Sequence, residues 1–204
     1  MSKMIMKLIS TLIIFSLSFN LYAKTGSVTG LEIPRFVSLK SNDVNIRVGP
    51  SINYPIKLKY VSENLPLEII DEFDVWRKSR DHEGNIGWLH KSLIKGDRYI
   101  LTSNEINADI KILSWPNGAI KGLIKKNNIL RLKSCDLNWC KVSKGSVNGW
   151  VLKENIWGIY KDEIYNRKFY QPLINQYWKI LNSSLFNYLA GAAEFAPANI
   201  DNPL

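Results

Sequence analysis

The fold is decided by two similar stretches, DVWRKSRDHEGNIGWLHKSLI at residues 74–94 and LNWCKVSKGSVNGWVLKENI at residues 137–156. Aligning them places a tryptophan on a tryptophan and a Gly-Trp pair on a Gly-Trp pair at an offset of 62 or 63 residues: Trp76 with Trp139, Gly87 with Gly149, and Trp88 with Trp150. Upstream, VNIRV at residues 44–48 matches ADIKI at residues 108–112 at an offset of 64. The chain therefore contains two successive units of about 60 residues each.

Each unit consists of short apolar segments separated by Gly, Pro, Asn and Asp. In the first unit the segments are residues 44–48, 56–61, 67–70, 75–79 and 86–90. Segments of this length between turn residues predict β-strands, and no long helical pattern interrupts them. So many strands in so short a unit predict a closed or half-closed antiparallel barrel.

The two units resemble a known protein family. The stretches of sequence on which the resemblance rests are, in order, NIRVGPSINYPI, LPLEIIDEF, WRKSRDHEGNIGWL, CDLNWCKV, GWV and WGIY. Together they resemble the tandem bacterial SH3-like domains of exported Gram-negative envelope proteins, over roughly residues 35–160. The second copy departs from the pattern at Leu113-Ser114, where the first has Gly49-Pro50.

The resemblance implies a mostly β protein with two tandem small SH3-like antiparallel β-barrels, and the apolar spacing of the tail, described below, adds a C-terminal helical segment. We expect a signal peptide at residues 1–23, a linker at 24–34, barrels at 35–98 and 99–160, and a helix with a flexible tail at 161–204. Members of this broad family are binding modules, some of them for cell-wall peptide. The resemblance implies no catalytic residue and no cofactor.

The N-terminus has the pattern of a secretory leader. Lys3 and Lys7 precede an apolar run at residues 8–19, and Ala23 is a small residue at the expected cleavage position. An apolar run of about 12 residues is shorter than the ~20 that a membrane-spanning helix needs, which disfavours an uncleaved anchor. We expect cleavage after Ala23 and a periplasmic protein.

The basic charge is concentrated in one unit. Residues 24–98 hold 12 basic and 10 acidic groups, residues 99–160 hold 9 and 4, and residues 161–204 hold 4 of each. In an exported protein such a bias favours anionic envelope polymer or lipid head groups over nucleic acid.

Exposed aromatic residues beside this basic unit are the candidate ligand surface, since planar rings stack on peptides and sugars. Trp88 and Trp150 follow glycines and are expected in the cores, whereas Trp115, beside a Pro-Asn-Gly turn, is expected to be the most exposed. The candidate ligand-binding residues are Tyr60, Trp76, Trp115, Trp139, Lys121, Lys125, Lys126 and Arg131.

The two cysteines flank a four-residue loop. Cys135 and Cys140 are not spaced as C-x-x-C, and further metal ligands are scarce with only two histidines in the chain. In an oxidising compartment this pattern predicts a structural disulfide rather than a redox or metal site.

The histidines and acidic residues do not form an enzyme motif. His82 and His90 lie outside any G-x-S-x-G or H-E-x-x-H pattern. The acidic run at residues 71–74 lacks a calcium-loop pattern, and we interpret it as a solvated strand end. We interpret Asp81 and His82 as parts of a solvated turn. No catalytic or metal site is expected.

The tail beyond residue 160 has its own pattern. Apolar residues recur at steps of three and four, which predicts an amphipathic helix: Tyr170, Leu173, Ile174, Tyr177, Trp178, Leu181, Leu185, Phe186 and Leu189. Pro172 would lie in its first turn. The apolar side either packs on its own domain or contacts a membrane or partner. Residues 196–204 are expected to be a loose end.

Two functional hypotheses follow. In the first, the barrels bind cell-wall peptide, glycan or a protein segment in the periplasm. In the second, the protein is an envelope adaptor that docks to a partner protein or the membrane through its C-terminal helix. Pulldown on purified cell wall and flotation with liposomes distinguish the two.

Overall fold

The computed structural model describes residues 24–103, 109–181 and 183. The predicted leader, the final residues 196–204 and the helix positions Leu185, Phe186 and Leu189 lie outside the described residues. The described chain forms two antiparallel sheets and one C-terminal α-helix.

The first barrel is a seven-stranded sheet near the N-terminus. Its strands are β1 Arg35–Leu39, β2 Val44–Arg47, β3 Ile56–Tyr60, β4 Pro66–Phe73, β5 Trp76–Arg80, β6 Ile86–His90 and β7 Ile94–Lys95. The spatial order is β3-β2-β6-β5-β4-β1-β7, and a short 3-10 helix, Lys91–Leu93, precedes β7.

The second barrel repeats this arrangement strand for strand. Its strands are β8 Tyr99–Thr102, β9 Ile110–Leu113, β10 Ile120–Ile124, β11 Ile129–Cys135, β12 Trp139–Lys144, β13 Val147–Leu152 and β14 Ile156–Trp157. The order is β10-β9-β13-β12-β11-β8-β14, and a 3-10 helix, Lys153–Asn155, precedes β14.

Each sheet is rolled around its own core. In the first barrel, Leu58 of edge strand β3 and Ile94 of edge strand β7 pack against the same buried cluster. In the second, Ile124 of β10 packs against the cluster that contains Ile156 of β14. A sheet whose two edges contact one core must curl on itself, so the predicted mostly β class with half-closed barrels is confirmed.

Strand β11 shows how the sequence directs this burial. Its residues Leu130 and Leu132 are buried, whereas Arg131 and Lys133 between them are exposed. Side chains alternate between the two faces of a strand, so one face enters the core and the other carries charge.

Strand β9 corresponds to β2 with a register that differs from the sequence alignment. Arg47 pairs with Trp88 and Leu113 pairs with Trp150, which makes Arg47 equivalent to Leu113. The offset here is therefore two residues larger than the alignment of residues 44–48 with 108–112 implied. The position of Gly49-Pro50 is thus occupied by Trp115-Pro116 and not by Leu113-Ser114.

The two barrels share an aromatic interface. Phe36 of β1 lies edge-to-face on Trp157 of β14, with ring centroids 5.0 Å apart, and contacts Tyr160 at 4.7 Å. The Tyr160 hydroxyl donates a hydrogen bond to Glu68 at 3.0 Å. Leu101 of β8 belongs to the buried cluster of the first barrel. The first core is therefore completed by a residue from the second sheet.

The acidic run at residues 71–74 is not uniformly solvated, which corrects the sequence interpretation. Glu72 has no exposed side-chain surface and forms an ion pair with Arg35 at 2.7 Å. It also accepts a hydrogen bond from the Thr29 hydroxyl at 2.8 Å. Glu72 therefore ties the segment before β1 to the barrel, and Ile33 of that segment is buried in the first core.

Asp81 is also buried, which corrects the solvated-turn interpretation. Its carboxylate accepts hydrogen bonds from the Tyr60 hydroxyl at 2.7 Å and the Asn85 backbone N–H at 2.8 Å. The adjacent His82 is half-buried, with its ring 6.1 Å from that of Trp157. This turn therefore forms part of the packed structure.

The chain after β14 continues along the second barrel before the helix. Tyr165 exchanges two backbone hydrogen bonds with Cys135, and Ile159 is buried in the second core. The helix α1 then spans Gln171–Leu181, with Pro172 in its first turn as expected. Within the described residues, no helix is long and apolar enough to cross a membrane.

Candidate ligand-binding groove of the second barrel

The predicted disulfide is confirmed, and it organises the loop that precedes Trp139. Strands β11 and β12 pair Cys135 directly opposite Cys140, and their sulfur atoms are bonded. The Asp136 backbone N–H donates to the Trp139 carbonyl oxygen at 2.8 Å. The position of Trp139 at the start of β12 is therefore set by a covalently closed turn.

Trp139 is half-buried and lines three cavities of about 740, 640 and 210 Å³. The first two also share Asn117, Leu137 and Asn138, and the last two share Leu152. The three cavities therefore adjoin one another around Trp139, and we treat them together. We call them the Trp139 groove.

Helix α1 forms one wall of the Trp139 groove through Asn175, Gln176, Lys179 and Ile180. The Asn175 side-chain amide donates to the Asp136 carboxylate at 2.9 Å, and Arg167 forms an ion pair with the same carboxylate at 2.9 Å. Burial raises the pKa of Asp136, but hydrogen bonds from the Leu137 N–H, Arg167 and Asn175 outweigh it and lower the pKa overall. The charged Asp136 thus holds the helix beside the groove.

A second contact fixes the helix to the barrel. The rings of Trp115 and Trp178 are stacked, with centroids 4.3 Å apart and planes inclined by 18°. A Cβ at Gly118 would overlap the Trp115 ring, so this turn requires glycine. Trp115 is half-buried, as Trp88 and Trp139 also are, and the stacking covers one face of its ring.

The second of these cavities is lined by a buried lysine. The Lys153 ammonium donates to the carbonyl oxygens of Lys161 at 3.1 Å and Glu163 at 2.8 Å. Burial lowers the pKa of Lys153, against the opposing effect of Glu163 and other nearby carboxylates. Its role here is to hold the segment after β14 in place.

The aromatic candidates of the first barrel have structural positions. Trp76 is only 9% exposed and lies edge-to-face on His90, with ring centroids 5.8 Å apart. Tyr60 packs against the first core, and burial together with the hydrogen bond to Asp81 raises the pKa of its hydroxyl. Trp150 is buried as expected, whereas Trp88 is half-buried with the Lys78 ammonium 5.8 Å from its ring.

The basic candidates lie on the second barrel but away from this groove. Lys121 on β10 donates to the Asn148 carbonyl oxygen at 3.0 Å, and Arg131 is exposed on β11. Lys125 and Lys126 are exposed in the turn between β10 and β11. Among the described residues, none of these four lines the cavities around Trp139.

Sequence reasoning identified Trp139 but missed most of its surroundings. The helix was predicted, yet no periodic pattern indicates that Asn175 would face Asp136 across the groove. The signal for Asp136 was only its position in the disulfide loop. Among the described residues, no group of three or more His, Cys, Asp or Glu side chains is arranged to hold a metal ion.

Comparisons with known proteins agree with the architecture. The bacterial SH3 domain family matches residues 40–96, within the first barrel, and residues 116–158, within the second. No curated protein sequence matches the chain.

Two solved structures have a distant similarity, those of NlpC2 and NlpC1 from Trichomonas vaginalis. Each is 12% identical with a TM-score of 0.28, and the matches cover 64% and 65% of this chain and 50% and 48% of theirs. The chain thus spans about half the length of these two proteins. On the family matches and the sheet order, the chain carries bacterial SH3 domains in two successive regions.

Proposed function

We propose that this protein is an exported, non-catalytic binding module that holds an extended peptide or glycan of the cell wall in the Trp139 groove. The observation that carries the proposal is the half-buried indole of Trp139, which forms a wall of all three adjoining cavities. An indole face in an open depression suits stacking on a sugar ring or on a flat segment of peptide.

The polar residues of the groove support the same class of ligand. The side-chain amides of Asn117, Asn138 and Gln176 line the cavities and supply both donors and acceptors. Peptide bonds and sugar hydroxyls need both kinds of partner. A few polar groups around an apolar ring are the usual composition of a ligand site.

Two ionisable groups at the groove, Asp136 and Lys153, support a role in binding rather than catalysis. Asp136 is occupied by Arg167 and Asn175, and Lys153 donates to two backbone carbonyls. Both side chains therefore stabilise the wall of the groove. In this proposal Asp136 and Lys153 help to position a ligand and transfer no proton.

The leader pattern and the disulfide support export to the periplasm.

The basic charge of the second barrel supports an encounter with an anionic polymer. Strands β9–β13 carry six basic residues and no acidic one, whereas β2–β6 carry six basic and three acidic residues. We propose that Lys121, Lys125, Lys126 and Arg131 contribute to this attraction at longer range and not by contact in the groove.

The proposal is tested by pulldown on purified cell wall. Trp139→Ala removes the shared wall of the groove, so we expect binding to weaken by about tenfold. The matched control is Trp88→Ala, which removes the half-buried indole of the first barrel and should leave binding near the wild-type value. Equal binding by wild type and Trp139→Ala, with both proteins folded, would show that the groove is not the ligand site.

A further inference from the structure

Helix α1 contacts the second barrel with one side and presents large apolar residues on the other. Asn175 and Trp178 make the contacts with Asp136 and Trp115. Leu173, Tyr177 and Ile180 are 70%, 57% and 58% exposed. We call these three residues the apolar stripe. Phe169, directly before the helix, is 92% exposed.

Helical geometry explains this division. With 3.6 residues per turn, successive residues are about 100° apart, so the three residues of the apolar stripe fall within about 60° of one another. Asn175 and Trp178 lie on the opposite side of the same helix. The barrel therefore leaves Leu173 and Tyr177 uncovered because its contacts are made by the other face, whereas Ile180 also lines the Trp139 groove.

The helix and the turn before it carry charges of one sign. Residues 164–181 contain Arg167, Lys168 and Lys179 and no acidic residue. Arg167 is paired with Asp136, whereas Lys168 borders a cavity of about 600 Å³ at the start of the helix. Lys133 and Lys141 also line this cavity, and no Asp or Glu does so among the described residues. We call this cavity the lysine groove.

We propose that the apolar stripe and the lysine groove together dock the protein on a membrane surface rich in anionic phospholipid. Charge complementarity favours this occupant, since the only charged side chains in residues 164–181 and in the described lining of the lysine groove are basic, and these attract lipid phosphates. Aromatic and aliphatic side chains on one face of a helix suit insertion at the boundary between headgroups and acyl chains. The proposal is independent of the ligand in the Trp139 groove.

Vesicle flotation with the purified protein tests the proposal. We expect binding to vesicles of phosphatidylcholine mixed with phosphatidylglycerol and much weaker binding to phosphatidylcholine alone. The stripe variant Leu173→Ser, Tyr177→Ser should bind the mixed vesicles at least about tenfold more weakly, and it leaves Ile180 unchanged because that residue also lines the Trp139 groove. Its control is Ile52→Ser, Val61→Ser, which changes two apolar residues of the first barrel that are 73% and 72% exposed.

A charge variant provides a second test that leaves the helix intact. Lys133→Gln, Lys141→Gln, Lys168→Gln should weaken binding on the order of 100-fold at low salt, since each lysine near an anionic surface contributes about 1 kcal/mol. The control Lys40→Gln, Lys57→Gln, Lys91→Gln removes the same charge from the first barrel and should bind nearly as wild type does.

Three results would overturn the proposal. The first is equal binding of the wild-type protein to neutral and mixed vesicles. The second is wild-type binding by both the stripe variant and the lysine variant. The third is a wild-type protein that does not bind vesicles and sediments as a dimer, which the stripe variant converts to a monomer. The last result would identify the stripe as a contact between two copies. Trp139→Ala should retain vesicle binding and the stripe variant should retain cell-wall binding, so either proposal can fail alone.

Discussion

Glu72 is a carboxylate without solvent exposure whose partners come from separate parts of the chain. Arg35 lies 2.7 Å away, Arg77 lies 3.5 Å away, and Thr29 donates through both its hydroxyl and its backbone N–H. Burial raises the pKa of Glu72, but the hydrogen bonds from Arg35, Thr29 and Val28 outweigh it and hold the pKa at about 2. The native state therefore favours the ionised form.

This pKa makes the first barrel sensitive to acid. The pKa of Glu72 is lower in the folded protein than in the unfolded chain, so the ionised carboxylate stabilises the fold above about pH 4.5. This stabilisation, on the order of 3 kcal/mol, is lost as the pH falls toward 2. Glu72→Gln should lower the free energy of unfolding at neutral pH and flatten its dependence on acid, as measured by urea denaturation across this range. The control Glu63→Gln breaks an exposed pair with Lys95 and should change stability by less than about 1 kcal/mol. An acid dependence in Glu72→Gln as steep as that of wild type would contradict the assignment.

The Gly-Trp pairs illustrate what a sequence pattern can and cannot explain. A Cβ at Gly87 would overlap Ile46 and the Arg47 carbonyl oxygen, and a Cβ at Gly149 would overlap Ile112 and the Leu113 carbonyl oxygen. Both glycines thus permit a close approach of two strands. The repeat could be found from these pairs, but the clash that requires them is visible only once the neighbouring strand is placed.

Among the elements, the β11–β12 hairpin is closed by the Cys135–Cys140 disulfide. Closing a loop of about six residues restricts the unfolded chain and should stabilise the protein by roughly 2 kcal/mol. Cys135→Ser, Cys140→Ser should therefore lower the free energy of unfolding by about this amount while the fold is retained, as followed by circular dichroism in urea. The comparison is wild type under non-reducing conditions, and a variant of unchanged stability would refute this expectation.

Strand identity was predictable, but the register of β9 was not. Buried and exposed residues alternate along a strand with a period of two, so a shift of two residues preserves the pattern. Ile110 and Ile112 are both buried, and either one can be aligned with Ile46. The correct pairing depends on the loop after β9, which is two residues shorter than the loop after β2, a feature that local hydrophobicity does not reveal.

Helix α1 and the groove beside it show a similar limit. The spacing of apolar residues predicted the helix, and Trp139 was identified from its position beside a polar loop. The pattern alone did not show that the helix would contact the barrel through Asn175 and Trp178. A stripe of apolar residues shows that a helix has two faces, but only the tertiary contacts show which face is covered.

At the scale of the whole molecule, the barrels are coupled through Phe36. Its ring contacts Trp157 and Tyr160 of the other barrel, and the Arg98 guanidinium lies 5.7 Å from it. Arg98 also forms an ion pair with Glu163 at 2.8 Å. An interface with buried aromatic and charged contacts of this kind should make the two barrels unfold together.

Calorimetry tests this coupling. We expect a single thermal transition for the wild-type protein, and two separated transitions for Phe36→Ala, because a buried phenyl ring contributes about 3 to 5 kcal/mol. Phe73→Ala is the control, since its side chain is exposed on the first barrel and makes no contribution to this interface. Two transitions in the wild type, or one in Phe36→Ala, would show that the barrels are not coupled through this ring.

The place of Leu101 in the first core has a consequence for synthesis. The side chain belongs to β8, the opening strand of the second sheet, yet it packs among residues of β1 and β4. A nascent chain that ends at Arg98 therefore lacks one of the buried side chains of its first core. The first barrel can complete its packing only after the ribosome has begun the second, and we expect a chain that stops at the apparent end of the repeat to expose the apolar side chains that Leu101 contacts.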